Sequence, residues 1–127
     1  LTFEARINRY IDLFFSKLEE DPQLAIFIIS ESHYNADILS LLAELKRDPN
    51  TMLKIQTLLD KEHAEGKIRR VRIEHLEMSI TSQLIYPFIS KPIMIHTNIC
   101  LKEGYEGYLS EWKEFVKQTV ISSIAIS

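Results

Sequence analysis

The chain has 127 residues, 46% of them hydrophobic and 26% charged, which suits one domain with a core and excludes disordered and fibrous classes. Its 3 Gly and 4 Pro are about half of the roughly 15 expected from average usage, too few for the turns of a β-sandwich, a barrel or a Rossmann unit. A net charge of −3 argues against nucleic-acid binding by the chain as a whole, and the single Cys100 excludes a disulfide framework and a multi-thiolate zinc site.

Apolar residues recur at helical spacing from the start of the chain. Steps of three and four residues predict an amphipathic helix over about residues 3–20. The pair Asp21-Pro22 predicts the N-cap and the first turn of a second helix, which runs to about Tyr34. The longest apolar run, residues 24–29, is too short for a membrane span, and the charges before it do not fit a signal peptide. We therefore expect a cytoplasmic protein without a membrane segment.

Two more helices and a basic loop are predicted in the middle of the chain. The Leu-rich residues 36–47 predict a short helix or a helix-like turn. Asp48-Pro49 repeats the earlier start signal and opens a helix that ends at Gly66, a natural αL residue. The apolar stripe of this helix carries Met52, Ile55, Leu59 and His63. The loop after it contains Lys67, Arg69, Arg70 and Arg72. No aromatic residue interleaves these cations, which favours a solvated turn near a helix C-terminus over a phosphate site.

The C-terminal half predicts two long helices joined by a connector. The first runs from about Ile73 to Ser90 and contains Pro87, which is expected to kink it or to loosen its last turn. Residues 91–104 form a connector whose conformation the pattern leaves open. The last helix spans about residues 105–124. Its apolar stripe is broader than the core of a small bundle needs, which predicts self-association.

Patterns for catalysis and metal binding are weak. Di-iron bundles use two Glu-x-x-His pairs, and only Asp60 with His63 resembles half of one, while His-Glu-x-x-His is missing. Cys100 lies in an apolar stretch without a glycine-bracketed serine or a phosphate-cradling loop, which favours a small buried hydrophobe. We therefore expect no enzyme, no metal and no cofactor. A helical-bundle metal- or cofactor-binding enzyme stays as the alternative, because of Asp60, His63 and the inward-facing tyrosines.

Polar residues interrupt several predicted apolar stripes. Tyr10 lies on the core face of the first helix, His63 on that of the helix before Gly66, and Ser82 and Tyr86 along the long helix. On helices that face one interior, such groups line a cavity with a few convergent polar atoms. The candidate ligand-binding residues, apolar lining included, are Tyr10, Phe14, Phe27, Ile55, His63, Met78, Ser82 and Tyr86. The mainly apolar lining predicts a lipophilic ligand.

The order of motifs around the long helix resembles a known family. The turn before this helix is Gly66-Lys67-Ile68-Arg69, and the helix contains Glu74-His75-Leu76 and ends in Ile85-Tyr86-Pro87-Phe88-Ile89-Ser90-Lys91-Pro92. The C-terminal half of tetracycline-repressor (TetR) family transcriptional regulators has a similar turn, long helix and aromatic-Pro-Phe-Ile step. Phe3–Ile29 is also similar, so the resemblance covers essentially the whole chain. The sequence differs from the family's pattern at Arg72-Ile73, where that family often has an Asp-Pro pair.

The resemblance implies an all-α, antiparallel bundle of about six helices that serves as the effector-binding and dimerisation domain of a repressor. In that family a small N-terminal helix-turn-helix domain binds DNA. No such pattern occurs here, and the start at Leu1 fits a chain that lacks that domain, so DNA is expected as a partner only through it. A small effector is expected to bias the placement of the two subunits. The last two long helices are expected to form the homodimer interface, with candidate residues Leu84, Phe88, Leu109, Trp112, Val116 and Val120.

Two points stay open at the level of sequence. Pro87 supplies either a pliable backbone for the effector response or a static kink. The plainest alternative for function is a helical scaffold that binds no ligand at all.

Overall fold

A computed structural model describes residues 2–34, 49–98 and 104–126, and within these ranges the chain is all-helical, without a strand. The helices are α1 (Phe3–Glu20), α2 (Gln23–Tyr34), α3 (Pro49–Ala64), α4 (Ile73–Ile89), α5 (Lys91–His96) and α6 (Gly104–Ile124). The predicted helices in these ranges are confirmed to within one or two residues at each end. No helix of the described ranges is long and apolar enough to cross a bilayer.

The connector predicted over residues 91–104 contains a short helix. Pro92 lies in the first turn of α5, where a proline is tolerated because the first N–H groups of a helix have no helical acceptor. Gly104 adopts a φ of +72° at the start of α6. The predicted helix over residues 36–47 and the position of Cys100 lie outside the described residues.

Turn residues end and start the helices as their chemistry predicts. The Asp21 N–H donates to the Lys17 carbonyl, and the Asp21 carbonyl accepts from the Leu24 N–H, so one residue closes α1 and opens α2. Beyond α3, Gly66 has a φ of +76°, a left-handed conformation that suits a residue without a Cβ. Local turn chemistry thus explains where these helices end.

α4 is the central helix, because it packs against each of the other five. Its apolar residues are distributed around most of the helix, as suits a helix with neighbours on several sides. Phe88 of α4 and Phe15 of α1 have ring centroids 5.3 Å apart inside the core. The buried residues of α4 are Ile73, Leu76, Ile80, Leu84, Ile85, Pro87 and Phe88.

The start of α4 is capped from another helix. Arg72 occupies the N-cap position, where the resembled family often has Asp-Pro, and its side chain makes no capping hydrogen bond. Gln56 of α3 supplies the cap, since its Oε1 accepts the Ile73 N–H at 2.8 Å and its Nε2 donates to the Val71 carbonyl at 3.0 Å. The first turn of α4 is therefore held to α3.

Candidate interaction surface

Pro87 removes one hydrogen bond from α4, and a side chain of α6 replaces it. A proline has no N–H, so the carbonyl four residues earlier, that of Gln83, loses its helical donor. The indole Nε1–H of Trp112 donates to this carbonyl at 2.7 Å. The proline position is consequently a polar contact point between α4 and α6.

Tyr105 makes a second polar link between α4 and α6. Its hydroxyl donates to the Pro87 carbonyl at 2.8 Å, and Lys91 Nζ lies 4.8 Å from the centroid of its ring. Nearby, Ser90 is buried, and its N–H and hydroxyl both donate to the Tyr86 carbonyl at 2.9 Å. These contacts satisfy carbonyls at the end of α4 and hold this end against α6.

Three aromatic rings of α6 form a stacked row beside these links. The ring centroids of Tyr108 and Trp112 are 6.3 Å apart, and those of Trp112 and Phe115 are 5.4 Å apart, with interplanar angles of 12° and 20°. Tyr108 and Trp112 are half-buried, whereas Phe115 is 54% exposed. A shallow groove beside Phe115 is lined by Gln118, Thr119, Ser122 and Ser123.

The outer side of α4 adds further exposed apolar area. Met78 and Tyr86 are 60% and 63% exposed, and Ile89 is exposed as well. Positions four residues apart lie on one side of a helix, so Ser82 falls between Met78 and Tyr86 on this side. We call Met78, Ser82, Tyr86, Ile89 and Phe115 the α4–α6 face. Exposed apolar residues on two packed helices make this surface a candidate interaction site.

The predicted interface residues, in contrast, lie in the core of the chain itself. Leu84, Val116 and Val120 have no exposed surface, and Leu109 and Phe88 are almost fully buried. A side chain without exposed surface contacts its own chain, so these residues stabilise the fold in this structure. Trp112 is half-buried and bonds to α4. The exposed residues of the same two helices are the ones accessible to a partner.

Three residues predicted as ligand contacts belong to that exposed surface. Met78, Ser82 and Tyr86 are part of the α4–α6 face, where they face solvent. Ser82 Oγ donates to the Ser79 carbonyl at 3.3 Å. Phe14, Ile55 and His63, by comparison, are half-buried.

Tyr10 and Phe14 are brought together on another side of the bundle. Their ring centroids are 6.1 Å apart on α1. Burial, and to a lesser extent the nearby charge of Glu77 on α4, raise the pKa of the Tyr10 phenol. Ile55 of α3 is half-buried against the core, and Phe27 of α2 is exposed. Of the predicted ligand contacts, Tyr10 and Phe14 thus lie side by side on α1, with Glu77 of α4 nearby.

His63, the remaining predicted ligand contact, has a structural partner. Its Nδ1 lies 3.1 Å from the Ile68 carbonyl, so a protonated Nδ1 donates to this loop. Asp60 Oδ1 accepts from Gln56 Nε2 at 3.0 Å instead. Within the described ranges, no group of three or more His, Cys, Asp or Glu residues is placed to hold a metal ion. His63 is therefore bonded to the loop after α3, and Asp60 is bonded within α3.

Two concave regions on the described part of the chain lie away from the predicted ligand contacts. The groove beside Phe115 includes none of the eight residues. A crevice at the end of the bundle is lined by Thr2, Phe3, Glu4, Glu62, Lys67, Ile68, Ile121, Ile124 and Ala125, and it also includes none of them. Neither concavity corresponds to the ligand cavity predicted from sequence.

Comparisons with protein-family models, with curated proteins and with solved structures returned no match. The likeness to TetR regulators therefore remains a resemblance carried by the motifs named above.

Proposed function

We propose that this chain is the dimerisation and effector-sensing domain of a transcriptional regulator that resembles the TetR family. In this proposal, DNA binding belongs to a helix-turn-helix domain outside the described residues. The helix order and the motif from Gly66 to Pro92 support the resemblance. The observation that carries the proposal is the α4–α6 face, an exposed apolar surface on two helices that are linked by side-chain hydrogen bonds.

A second copy of the chain is the occupant that suits this face best. Two copies of one self-complementary patch pair around a two-fold axis, and two helices from each chain then form a four-helix arrangement. The Trp112–Gln83 and Tyr105–Pro87 hydrogen bonds hold α4 and α6 together before association. Such pre-organisation lowers the entropy lost on binding.

A lipophilic effector is proposed to bind on the side of α4 that carries Glu77. The Tyr10 hydroxyl and the Glu77 carboxylate supply polar groups beside the rings of Tyr10 and Phe14. α4 packs against α1 on this side and carries the α4–α6 face on another. A ligand that binds more tightly when α4 has one orientation in the bundle than when it has another therefore shifts the arrangement of the two subunits.

The mass of the chain in solution tests the dimer. Sedimentation equilibrium at micromolar concentration is expected to give twice the mass of the chain. Phe115→Glu is expected to shift the protein to the monomer, because it places a charge in the centre of an apolar interface. Leu53→Glu is the matched control, since Leu53 is 67% exposed on α3 and lies outside the α4–α6 face. A wild-type monomer at all concentrations would contradict the proposal.

The effector side is tested separately with the lipophilic fluorescent probe anilinonaphthalene sulfonate. Tyr10→Ala is expected to weaken probe binding, because it removes a ring and the hydroxyl from the site. Phe115→Glu is expected to retain the part of the probe binding that depends on Tyr10. Equal binding by wild type and Tyr10→Ala would reject this location for the effector.

A further inference from the structure

The crevice at the end of the bundle brings together three parts of the chain that are distant in sequence. It is lined by the start of α1, by the end of α3 with the loop after it, and by the end of α6, and its volume is about 200 Å³. The loop and α6 are joined there, because the Arg69 N–H donates to the Ile124 carbonyl at 2.9 Å. The apolar lining consists of Phe3, Ile68, Ile121 and Ile124. A recess of this size is smaller than the pockets of drug-sized ligands, so it suits a short chain or a single ring.

Three charged residues line the crevice, and two of them already have a local role. Glu4 lies in the first turn of α1, where a carboxylate offsets the positive end of the helix dipole. Lys67 Nζ lies 2.9 Å from Oε2 of Glu65, a residue outside the lining. Glu62 is half-buried, and its carboxylate makes no hydrogen bond or ion pair with another residue that the structure describes. One carboxylate beside the apolar lining is therefore available to a ligand.

Lys67 competes with a ligand for this carboxylate. The hydrogen bond from Glu65 and, after it, the charges of Glu62 and Glu65 raise the pKa of Lys67, so Glu62 lies close enough to act on the lysine. A purely structural role follows if Glu62 serves only to attract Lys67, and neutralising Glu62 would then change no binding. In the structure, however, Lys67 bonds to Glu65 instead. A cationic ligand can therefore reach Glu62 without breaking that ion pair.

We propose that the crevice binds a small organic cation, a protonated amine with a short apolar body, through the Glu62 carboxylate. The apolar side chains cover the body of such a ligand, and the carboxylate accepts charge-assisted hydrogen bonds from its ammonium group. The carboxyl end of α6 also lines the crevice, and the negative end of a helix dipole favours a cation. A bare metal ion fits less well, because no group of three or more His, Cys, Asp or Glu residues assembles within the described ranges to coordinate it.

This site is separate from the surfaces of the proposed function. Tyr10 and Phe14 do not line the crevice, and neither does any residue of the α4–α6 face. A ligand in the crevice contacts the start of α1 and the end of α6 at once, so it is expected to stabilise the fold in a monomer and in a dimer alike. The amine site consequently stands or fails independently of the dimer.

The test is an NMR titration of the isotopically labelled whole chain with phenethylamine, a protonated amine with one aromatic ring. Saturable shifts are expected at the backbone amides of Phe3, Ile68 and Ile124, which line the crevice. Phenethyl alcohol has nearly the same shape without the charge, so it is expected to bind about fivefold more weakly. Equal affinity for the amine and the alcohol, or absence of saturable shifts at these amides, overturns the proposal.

Two variants at the crevice are expected to change the affinity for the amine in opposite directions. Glu62→Gln should weaken amine binding about fivefold and leave the alcohol unaffected. Lys67→Gln should strengthen amine binding, because it removes a cation that competes for Glu62. Glu111→Gln is the matched control, since Glu111 is an exposed glutamate of α6 outside the lining. Unchanged affinity in Glu62→Gln, or an equal loss in Glu111→Gln, overturns the proposal.

Tyr10→Ala separates the crevice from the proposed effector site. This variant is expected to keep the amine-induced shifts at Ile68 and Ile124, and their loss in it would overturn the crevice as the amine site. Sedimentation of the same samples reports on the dimer. A monomer whose amine binding depends on Glu62 rejects the dimer and retains the crevice site, whereas a dimer that binds no amine rejects the crevice site alone.

Discussion

The two sides of α4 use their polar groups differently. Toward α6, Trp112 and Tyr105 donate to main-chain carbonyls of α4, so the polar atoms are used inside the pair and apolar side chains remain outside. Toward α1, burial and, to a lesser extent, the nearby charge of Glu77 raise the pKa of the Tyr10 phenol. A face whose polar atoms are bonded inside the chain suits association with another apolar face, whereas aromatic rings beside a hydroxyl and a carboxylate suit a small ligand.

Exposure also distinguishes two sets of predicted site residues on α4. Both Leu84 and Met78 belong to apolar edges of α4, and sequence periodicity treats them alike. In the bundle, Leu84 has no exposed surface and Met78 is mostly exposed. The contrast between a core side and an outer side of α4 is therefore the feature that mutations should test.

The largest expected effect comes from Leu84→Ala, which should lower the free energy of unfolding by about 3 kcal/mol because it leaves a cavity in the core. Met78→Ala should change the stability of the monomer by less than about 0.5 kcal/mol and should weaken self-association instead. Urea unfolding across a range of chain concentrations separates the two effects. Similar losses of monomer stability in Leu84→Ala and Met78→Ala would contradict the contrast between the core side and the outer side of α4.

Trp112→Phe should cost about 2 kcal/mol, because the Gln83 carbonyl loses the donor that replaces the missing N–H of Pro87. In a Pro87→Ala background a backbone N–H is present at position 87, and the same substitution should cost about 1 kcal/mol less. The double-mutant cycle is measured by urea unfolding. Additive effects would show that the indole contributes through packing alone.

Gln56→Ala should lower stability by about 1.5 kcal/mol, since the Ile73 N–H and the Val71 carbonyl lose their partner across α3 and α4. Gln118→Ala, an exposed position on α6, is the control and should be nearly neutral. Amide hydrogen exchange at Ile73 should accelerate in Gln56→Ala. Unchanged exchange there would contradict the capping role.

The smallest effect concerns the ion pairs between α1 and α6. Asp12 Oδ1 lies 2.7 Å from Lys117 Nζ and 3.4 Å from Lys113 Nζ. Burial raises the pKa of Asp12, but the hydrogen bonds and charges of the two lysines outweigh it and hold the pKa below its ordinary value.

A lowered carboxyl pKa stabilises the fold above the unfolded pKa, and this contribution is lost as the pH falls through the folded pKa. Asp12→Asn should therefore cost about 0.5 kcal/mol near neutral pH, a small value because the pair is partly exposed. The cost should vanish under acidic conditions below the ordinary range of aspartate. Unfolding curves of both proteins at several pH values measure this difference, and a cost independent of pH would exclude the ion pair as its source.

Some tertiary contacts left a signal in the sequence and others left none. Pro87 within a helical pattern implies a carbonyl at Gln83 without a helical donor, and the aromatic donors of the last helix were available to fill it. The cap from Gln56 has no comparable signal, because its partner Ile73 lies 17 residues away and any nearby side-chain acceptor would serve. Side-chain hydrogen bonds between helices in general leave no signal in the local sequence pattern.

By itself, the sequence determined the helices and most of their ends. Helix formation depends on neighbours within four residues, and the turns at Asp21 and Gly66 depend on the conformations open to those residues. Only the tertiary structure decided which apolar residues of α4 face the core and which face outward. Burial depends on helices that are distant in the chain, and a helix with apolar residues on several sides satisfies the same periodicity in more than one orientation.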